Sequence, residues 1–492
     1  MSESLPIARP FAWIGVLALA LCTFMQVLDS SIANVSLPHI AGDLSVNADQ
    51  GIWVITMFAV GNASCLPLTG WLMRRFGLGR LLVFSILSFT AASWLCGISN
   101  TIEMLVAARF LQGCVSGPLI PLSQSLMLMT FPQEKRTVAL AISNMVTIVG
   151  PIAGPILGGW ITYNYSWPWI FFINIPIGLF CAITIRAFYQ EKERVTAQIP
   201  FDGVGLLLLV IAVSSFQVFI DKGQTLDWWN STFIWTLAIT SFISFIAFLI
   251  WELFQKDPIV DLTFFKNRNF LLGTALASTA FFFIFGTIVV TSLWLQQVMG
   301  YTPYLAGLAV STMGLIPFFT VLFVAKLMIR VPLRFLVMCS FLAYFLSFSY
   351  FSTFTTAVTF KQVAFFRFCT GIGVALWLAP LSAMTFAGVP NERLAMGQGI
   401  FQFFRILMGG AGASLCVTLW QRRATFHHSY LAEGASFLRE KTLSLTRAMI
   451  DQVTWKQAYM LATNDLFWMS AWIFFLFIFF ALLFKKHPQK AL

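Results

Sequence analysis

Long apolar runs recur along the whole chain, and they constrain its fold more than any other feature. An α-helix needs about 20 largely apolar residues to cross the hydrocarbon core of a bilayer, and a backbone in lipid must satisfy its own hydrogen bonds. We therefore predict an all-α polytopic membrane protein with fourteen spans. They are approximately 13–38, 51–71, 81–98, 104–130, 138–162, 169–188, 203–221, 232–251, 270–295, 304–326, 333–352, 361–386, 396–419 and 466–484.

The composition supports a membrane environment and argues against soluble alternatives. Of the 492 residues, 59% are hydrophobic and only 10% are charged, whereas soluble domains carry about 25% charged residues. The net charge of +11 would suit a nucleic-acid-binding protein, but the Lys and Arg residues form short clusters between apolar runs and no basic stripe. All eight Cys fall inside apolar runs, so we interpret them as small hydrophobic residues and predict neither a metal site nor a cofactor.

Basic residues are distributed unevenly between the two sides of the predicted membrane. With the N-terminus inside, 19 of the 30 Lys and Arg fall in inside segments, 8 in outside segments and 3 within spans. Because basic loops stay on the cytoplasmic side, both termini are predicted to be cytoplasmic. An even number of spans agrees with this orientation.

Two stretches of the chain resemble each other and suggest an internal repeat. Arg109-Phe-Leu-Gln-Gly113 and Arg367-Phe-Cys-Thr-Gly371 each open a span that reaches a Pro-Leu-Ser sequence, and they are 258 residues apart. Parallel repeats of six spans are a transporter architecture in which the substrate path runs between the halves. We predict six-helix bundles at 1–190 and 266–492, with two inserted spans within 191–265. Chance similarity between apolar sequences is the alternative.

Charged side chains fall inside several predicted spans. A charge at the centre of a span costs ~2.5–3.5 kcal/mol on insertion scales, so it normally faces the interior and has a partner. Asp29 is the only acid that we place well inside a span, and Arg109 is its candidate partner. We predict proton coupling at this pair, with a structural ion pair as the alternative. Arg367 has no matching acid in its own half, so we predict that it orients an anion or a substrate. Arg405 either does the same or extends toward the membrane surface.

The fifth predicted span carries glycine at every fourth position. Gly150, Gly154 and Gly158 share one helix face and allow another helix to approach closely. Pro155 removes a backbone donor and favours a bend. Together with Gly159, these residues predict a hinge or sliding surface between two access states. A static helix contact is the alternative.

Three aromatic residues lie on the predicted spans that also carry Arg367 and Arg405. Trp377, Phe401 and Phe404 would suit an apolar, adaptable cavity that accepts varied amphipathic compounds. Ordinary packing is the alternative for each of them singly.

Residues 421–465 are predicted to form a long loop on the outside. Apolar residues at helical spacing, among them Phe437, Leu438 and Met449, predict an amphipathic helix that rests on the membrane surface. His427 and His428 are adjacent in sequence, so they do not have the spacing of a helical metal site.

Four segments match sequence motifs of a known protein family. The first span ends in Leu28-Asp-Ser-Ser-Ile-Ala-Asn34-Val-Ser-Leu-Pro38, which is similar to L-D-x-T-I-x-N-V-A-L-P. The fourth span carries R-x-x-Q-G at Arg109-Phe-Leu-Gln112-Gly113, and the fifth carries G-x-x-x-G-P-x-x-G-G at Gly150-Pro-Ile-Ala-Gly154-Pro155-Ile-Leu-Gly158-Gly159. The segment from Gln457 to Phe467 also resembles this family. By these motifs the chain resembles the major facilitator superfamily, and within it the fourteen-span drug:proton antiporters of the EmrB/QacA type.

The loop after the second span resembles a further motif of that superfamily. The segment Gly70-Trp-Leu-Met-Arg-Arg75-Phe-Gly77-Leu-Gly-Arg80 is similar to G-x-L-A-D-R-x-G-R-K-R. Arg74 stands where most members have Asp, so the acidic part of the usual gate is missing. The resemblance assigns a conformational role to Gly70, Arg75, Gly77 and Arg80.

The resemblance implies a function, a location and partners. It implies proton-driven export of hydrophobic or amphipathic compounds, or multidrug:H⁺ antiport, by alternating access across a bacterial inner membrane. A periplasmic membrane-fusion adaptor of the EmrA type and an outer-membrane channel are the implied partners. The predicted substrate path comprises Asn34, Gln112, Arg367, Trp377, Phe401, Phe404 and Arg405.

Other functions remain as alternatives to multidrug export. A dedicated exporter of one metabolite, such as a siderophore, would use the same scaffold. A membrane-embedded enzyme would need a nucleophile–base or metal motif, and ATP drive would need a Walker loop; the sequence has neither. A non-transporting sensor would not need the coupling acid, so Asp29 argues against it.

Overall fold

The computed structural model describes residues 12–46, 48–51, 53–130, 146, 149–150, 153–154, 156–189, 202–255, 258–390, 393–439 and 447–485. Across these ranges every regular element is a helix. The longer helices are α1 (Ala12–Asp43), α2 (Trp53–Cys65), α3 (Thr69–Phe76), α4 (Leu78–Gly97), α5 (Ile102–Ser116), α6 (Leu119–Thr130), α7 (Asn174–Tyr189), α8 (Gly203–Gly223), α9 (Thr232–Phe254), α10 (Arg268–Leu293), α11 (Pro303–Ser311), α12 (Leu315–Arg330), α13 (Leu333–Phe351), α14 (Phe360–Thr385), α15 (Leu394–Arg439) and α16 (Arg447–Leu482). Residues 156–164 are also helical.

The apolar helices match the predicted spans closely. In the described ranges, twelve helical segments are long and apolar enough to cross a membrane. A bent pair, Tyr304–Thr320 and Phe323–Arg330, makes a thirteenth when it is counted as one span. These thirteen coincide with thirteen of the predicted segments. The other segment, 138–162, lies largely outside the described residues, so the count of fourteen stays a prediction.

The helices pack as two groups in chain order. In the first group, α1 contacts α6 and α7, α2 contacts α5, and α4 lies against α5 and α7. In the second, α10 contacts α14 and α15, and α13 contacts α14 and α16. The second group has an aromatic core, in which the rings of Phe351 and Phe467 lie 4.0 Å apart.

Both copies of the predicted repeat start a helix in the same way. The Thr101 side chain accepts a hydrogen bond from the Met104 amide and caps α5, and Thr359 forms a capping box at the start of α14. Like the two arginines that they precede, these threonines are 258 residues apart. Shared capping therefore extends the similarity beyond the short Arg-Phe motif.

The two inserted helices form a hairpin that contacts both groups. α8 packs along α9, and it also lies against α2 and α15. Near the end of α8, the Asp221 carboxylate accepts hydrogen bonds from Thr56 Oγ1 on α2 at 2.9 Å and from Ser414 Oγ on α15 at 2.5 Å. The hairpin is thus bonded to both halves through one side chain.

The predicted outside loop at 421–465 is largely helical. α15 continues to Arg439, and α16 already begins at Arg447. The sequence between Gln421 and Glu433 contains neither Gly nor Pro, so nothing in it stops the helix. The prediction of a separate helix on the membrane surface is therefore wrong: Phe437 and Leu438 belong to the end of α15, and Met449 belongs to α16.

The extensions of α15 and α16 are held together by side-chain contacts. Asp465 accepts hydrogen bonds from Arg423 Nε at 2.7 Å and lies 2.7 Å from His427 Nε2. The His428 ring stacks on Trp455 with centroids 3.9 Å apart. In the described residues, no group of three or more His, Cys, Asp or Glu side chains is placed to hold a metal ion.

Candidate functional site

Asp29 and Arg109 form a buried ion pair between α1 and α5. Arg109 Nη1 lies 2.6 Å from Asp29 Oδ2, and neither side chain is exposed. Gln112 Nε2 and Asn174 Nδ2 donate to the other carboxylate oxygen at 3.0 and 2.9 Å. The predicted pairing is therefore present, and every one of these partners donates to the carboxylate.

Arg109 has further contacts besides the one with Asp29. Its Nε donates to the Val54 carbonyl at 3.1 Å, and its Nη1 donates to Gln112 Oε1 at 2.6 Å. Its guanidinium carbon lies 4.1 Å from the centroid of the Phe58 ring. We therefore expect the Arg109 guanidinium to keep these three contacts when the Asp29 carboxylate is neutralised.

The described part of the glycine face lies directly against α1. A methyl group built on Gly158 would lie 2.8 Å from Ile32 Cγ1, and one built on Gly154 would overlap the Ser31 side chain. Ser31 Oγ also donates to the Gly150 carbonyl at 3.3 Å. The helix carrying these glycines therefore packs with its backbone against α1.

The glycine face and the ion pair share the same stretch of α1. Asp29 lies two residues before Ser31, so the proton-coupling candidate and the glycine contact lie within one turn of α1. Gly159 follows on the glycine-bearing helix, and Pro155 lies outside the described residues.

Arg367 occupies the position in the second half that Arg109 occupies in the first. It is fully buried, and its Nη2 donates to the Thr287 carbonyl at 2.7 Å and to the Thr291 hydroxyl. Thr287 is 258 residues from Asp29, the same offset that relates the two arginines. A threonine thus stands where the first half has its acid, which explains why the sequence shows no acidic partner for Arg367.

Arg405 lies in an aromatic environment on α15. Its guanidinium carbon is 4.5 Å from the centroid of the Phe281 ring on α10. Phe281 in turn stacks on Phe285 at 5.0 Å and contacts Trp377 at 5.6 Å. The structure therefore brings Trp377 and Arg405 to the same ring, whereas sequence reasoning did not identify Phe281.

The other members of the predicted substrate path are placed differently. Phe401 packs on Phe386, and Phe404 contacts Phe265 at the end of the inserted segment. Gln112 belongs to the Asp29–Arg109 network. Asn34 lies on α1, and its side chain is outside the described part of the structure.

The two halves meet through polar side chains of α6 and α15. Gln402 Nε2 donates to Gln124 Oε1 at 3.2 Å, and Ser125 Oγ donates to Gln398 Oε1 at 3.4 Å. All four side chains are buried. The described contacts between α6 and α15 thus include hydrogen bonds between buried amide and hydroxyl groups.

The loop motif after the second span also reaches the second half. A methyl group built on Gly70 would lie 3.2 Å from Met396 Cγ, at the start of α15. Gly77 ends α3 with a φ of 84°, a conformation that favours glycine. The Arg75 guanidinium lies 5.4 Å from the Trp71 ring, and Arg80 is exposed.

Comparisons with known proteins agree on one family. The profile of the Major Facilitator Superfamily matches residues 19–413. Multidrug export protein EmrB of Haemophilus influenzae is 42% identical over 486 residues, which cover 96% of this chain and 95% of that protein. Fatty acid resistance protein FarB of Neisseria gonorrhoeae is 39% identical over 480 residues, with coverages of 95% and 94%. The crystal structure of the human organic anion transporter MFSD10 (TETRAN) superposes with a TM-score of 0.58 at 14% identity, covering 95% of this chain and 100% of that one.

Proposed function

Because the chain belongs to the major facilitator superfamily, we propose that it exports hydrophobic or amphipathic compounds in exchange for protons. It is a multi-pass protein of the bacterial inner membrane, and the matched family consists of transporters rather than enzymes. Its relatives of about 40% identity include proteins named for multidrug export. We propose multidrug:H⁺ antiport by alternating access, with both termini in the cytoplasm.

The buried Asp29–Arg109 pair is the observation that carries this proposal. In the proposed cycle, Asp29 takes up a proton while the cavity faces outside. Val54, Gln112 and the Phe58 ring then hold the Arg109 guanidinium in the absence of a carboxylate charge. When the cavity faces inside, Arg109 or a bound substrate stabilises the carboxylate and the proton is released. Substrate and proton thereby compete through one site, as antiport requires.

The glycine face supplies the proposed movement. Gly154 and Gly158 let their helix lie close to α1, and the two α1 residues that they meet, Ser31 and Ile32, lie two and three positions after Asp29. A change in charge at Asp29 therefore acts on α1, the helix that packs against Gly154 and Gly158. Small residues permit this close approach, and we propose that the two helices shift against each other along this face.

Partner proteins are part of the same proposal. We assign a periplasmic adaptor and an outer-membrane channel as partners, as the resemblance to EmrB-type exporters implies. The paired extensions of α15 and α16 lie outside the predicted spans, after residue 419 and before residue 466. In this proposal they offer a structured surface to the adaptor on the periplasmic side.

Transport into proteoliposomes tests the proposed function. The purified chain is reconstituted, a pH gradient is imposed, and accumulation is measured for dyes, lipophilic cations and siderophores. Gradient-dependent accumulation of several chemically unrelated compounds is the expected result. Accumulation of a siderophore alone would indicate a dedicated exporter, and accumulation of none would reject proton-driven export.

A further inference from the structure

The membrane core of the second half carries positive charge without any acid. No Asp or Glu occurs from residue 262 to 391 or from 393 to 432. Arg367 and Arg405 lie within these stretches, and each has a relative exposure of 1% or less. In the first half, by contrast, Arg109 is neutralised by Asp29.

Arg405 has fewer described partners for its positive charge and its N–H donors than Arg367 has. Arg367 donates to the Thr287 carbonyl and the Thr291 hydroxyl. Within the described residues, Arg405 forms no ion pair, and its Nε and Nη1 have no hydrogen-bond partner. Its described contact is with the face of the Phe281 ring. Buried guanidinium donors that remain unpaired favour an anion as their partner.

Arg405 also faces the boundary between the two halves. On α15 it follows Gln398 and Gln402 at helical spacing, so the three side chains share one face. Gln398 and Gln402 contact Ser125 and Gln124 of the first half. A substrate that passes between the halves therefore encounters this face.

Arg405 lies beside an apolar, aromatic surface. Phe281, Phe285 and Trp377 form a continuous aromatic surface beside the guanidinium. A buried cation beside an aromatic surface fits a ligand with one anionic end and one apolar end.

We propose that Arg405 binds the anionic headgroup of amphiphilic substrates, with the aromatic surface contacting their apolar part. This inference deepens the proposed export function and rests on it. The anion neutralises Arg405 in the acid-free half, while the proton is handled at Asp29 in the other half. The anionic headgroup thus has a binding place of its own in the second half, apart from Asp29, through which substrate and proton compete.

Two ligands with the same chain and opposite headgroups test the assignment. Binding of radiolabelled dodecanoate and dodecyltrimethylammonium is measured for the full chain in lipid nanodiscs, with empty nanodiscs subtracted. Wild type should bind dodecanoate more tightly. Arg405→Gln should weaken dodecanoate binding by about 10-fold or more, because a charge-assisted hydrogen bond is lost, and should change dodecyltrimethylammonium binding by less than about 2-fold. Arg405→Lys should keep the preference for the anion, since the charge remains.

Matched controls separate this inference from a loss of structure and from the export proposal. Arg422→Gln removes a guanidinium near Trp228, away from this site, and should bind both ligands as wild type does. Equal binding of the two ligands by wild type, or unchanged dodecanoate binding by Arg405→Gln, would overturn the assignment. If Arg405→Gln does not purify as a folded protein, the wild-type ranking and the Arg405→Lys variant still decide the question. Anion-selective binding without any proton-driven transport would instead reject the export function and leave the Arg405 site standing.

Discussion

Replacing both members of the Asp29–Arg109 pair should lower the free energy of unfolding by less than the sum of the two single replacements. Asp29→Asn leaves a buried guanidinium without its carboxylate, and Arg109→Gln leaves a buried carboxylate without its cation. Breaking a buried pair by removing one partner costs about 3–5 kcal/mol, because an uncompensated charge remains. The double variant Asp29→Asn/Arg109→Gln leaves no charge in the site.

The contacts of Arg109 determine how much Asp29→Asn should lower the free energy of unfolding. After Asp29→Asn, Arg109 still donates to the Val54 carbonyl and to Gln112, and it still lies over the Phe58 ring. We therefore expect a loss of free energy of unfolding near the lower end of the range, about 3 kcal/mol. We expect the double variant to be more stable than the sum of the singles by at least ~2 kcal/mol.

Thermal unfolding in detergent measures these differences. A thiol-reactive dye reports unfolding through the buried thiols of Cys22 and Cys96. The apparent Tm of the double variant should lie above the value that additivity predicts. Additivity within about 0.5 kcal/mol would show that the two side chains do not interact energetically, and the reasoning from the ion pair would then be refuted.

Three further changes test the hinge, the topology and the inserted hairpin. Gly154→Leu should abolish export and destabilise by about 1–3 kcal/mol through overpacking against α1, whereas Gly42→Leu, which has open space around it, should do neither; normal export by Gly154→Leu would make the glycine face a passive contact. In a background without reactive native cysteines, Ser429→Cys should react with an impermeant thiol reagent added outside and Lys266→Cys should not, and the reverse pattern would invert the predicted orientation. Asp221→Ala removes an acceptor for hydrogen bonds from α2 and α15, and we expect a loss of about 1–3 kcal/mol in thermal unfolding assays; an unchanged Tm would mean that the hairpin is held by packing alone.

The features that could be predicted from the sequence are those that the lipid environment of the spans determines. Span positions follow from the length of apolar runs, and the partnership of Asp29 with Arg109 follows from the cost of an unpaired charge in a span. Asn174 was not predicted, because one amide in an apolar helix has no periodic or motif signal. Asp221 was missed because it falls at the end of its apolar run, where an acid is ordinarily read as the span boundary.

Tertiary contacts and helix continuation explain the remaining differences. The approach of Phe281 to Arg405 depends on how α10 packs on α15, and nothing local in either segment predicts it. The segment 421–465 was predicted as a loop because span rules end a helix at the membrane surface. A helix continues beyond the membrane when the following residues contain neither Gly nor Pro, as in 421–433, and when a second helix packs against it, as α16 does against α15.

Proton coupling at Asp29 is tested most directly by transport against a gradient. Proteoliposomes containing wild type, Asp29→Asn or Asp227→Asn are compared under an imposed pH gradient alone, and then under a substrate gradient alone. Asp227 is an exposed acid in the turn after α8 and serves as the matched control. We predict that Asp29→Asn still exchanges substrate downhill but no longer accumulates it, while Asp227→Asn accumulates it as wild type does. Accumulation by Asp29→Asn driven only by the pH gradient would contradict the account, because the proton would then be carried elsewhere.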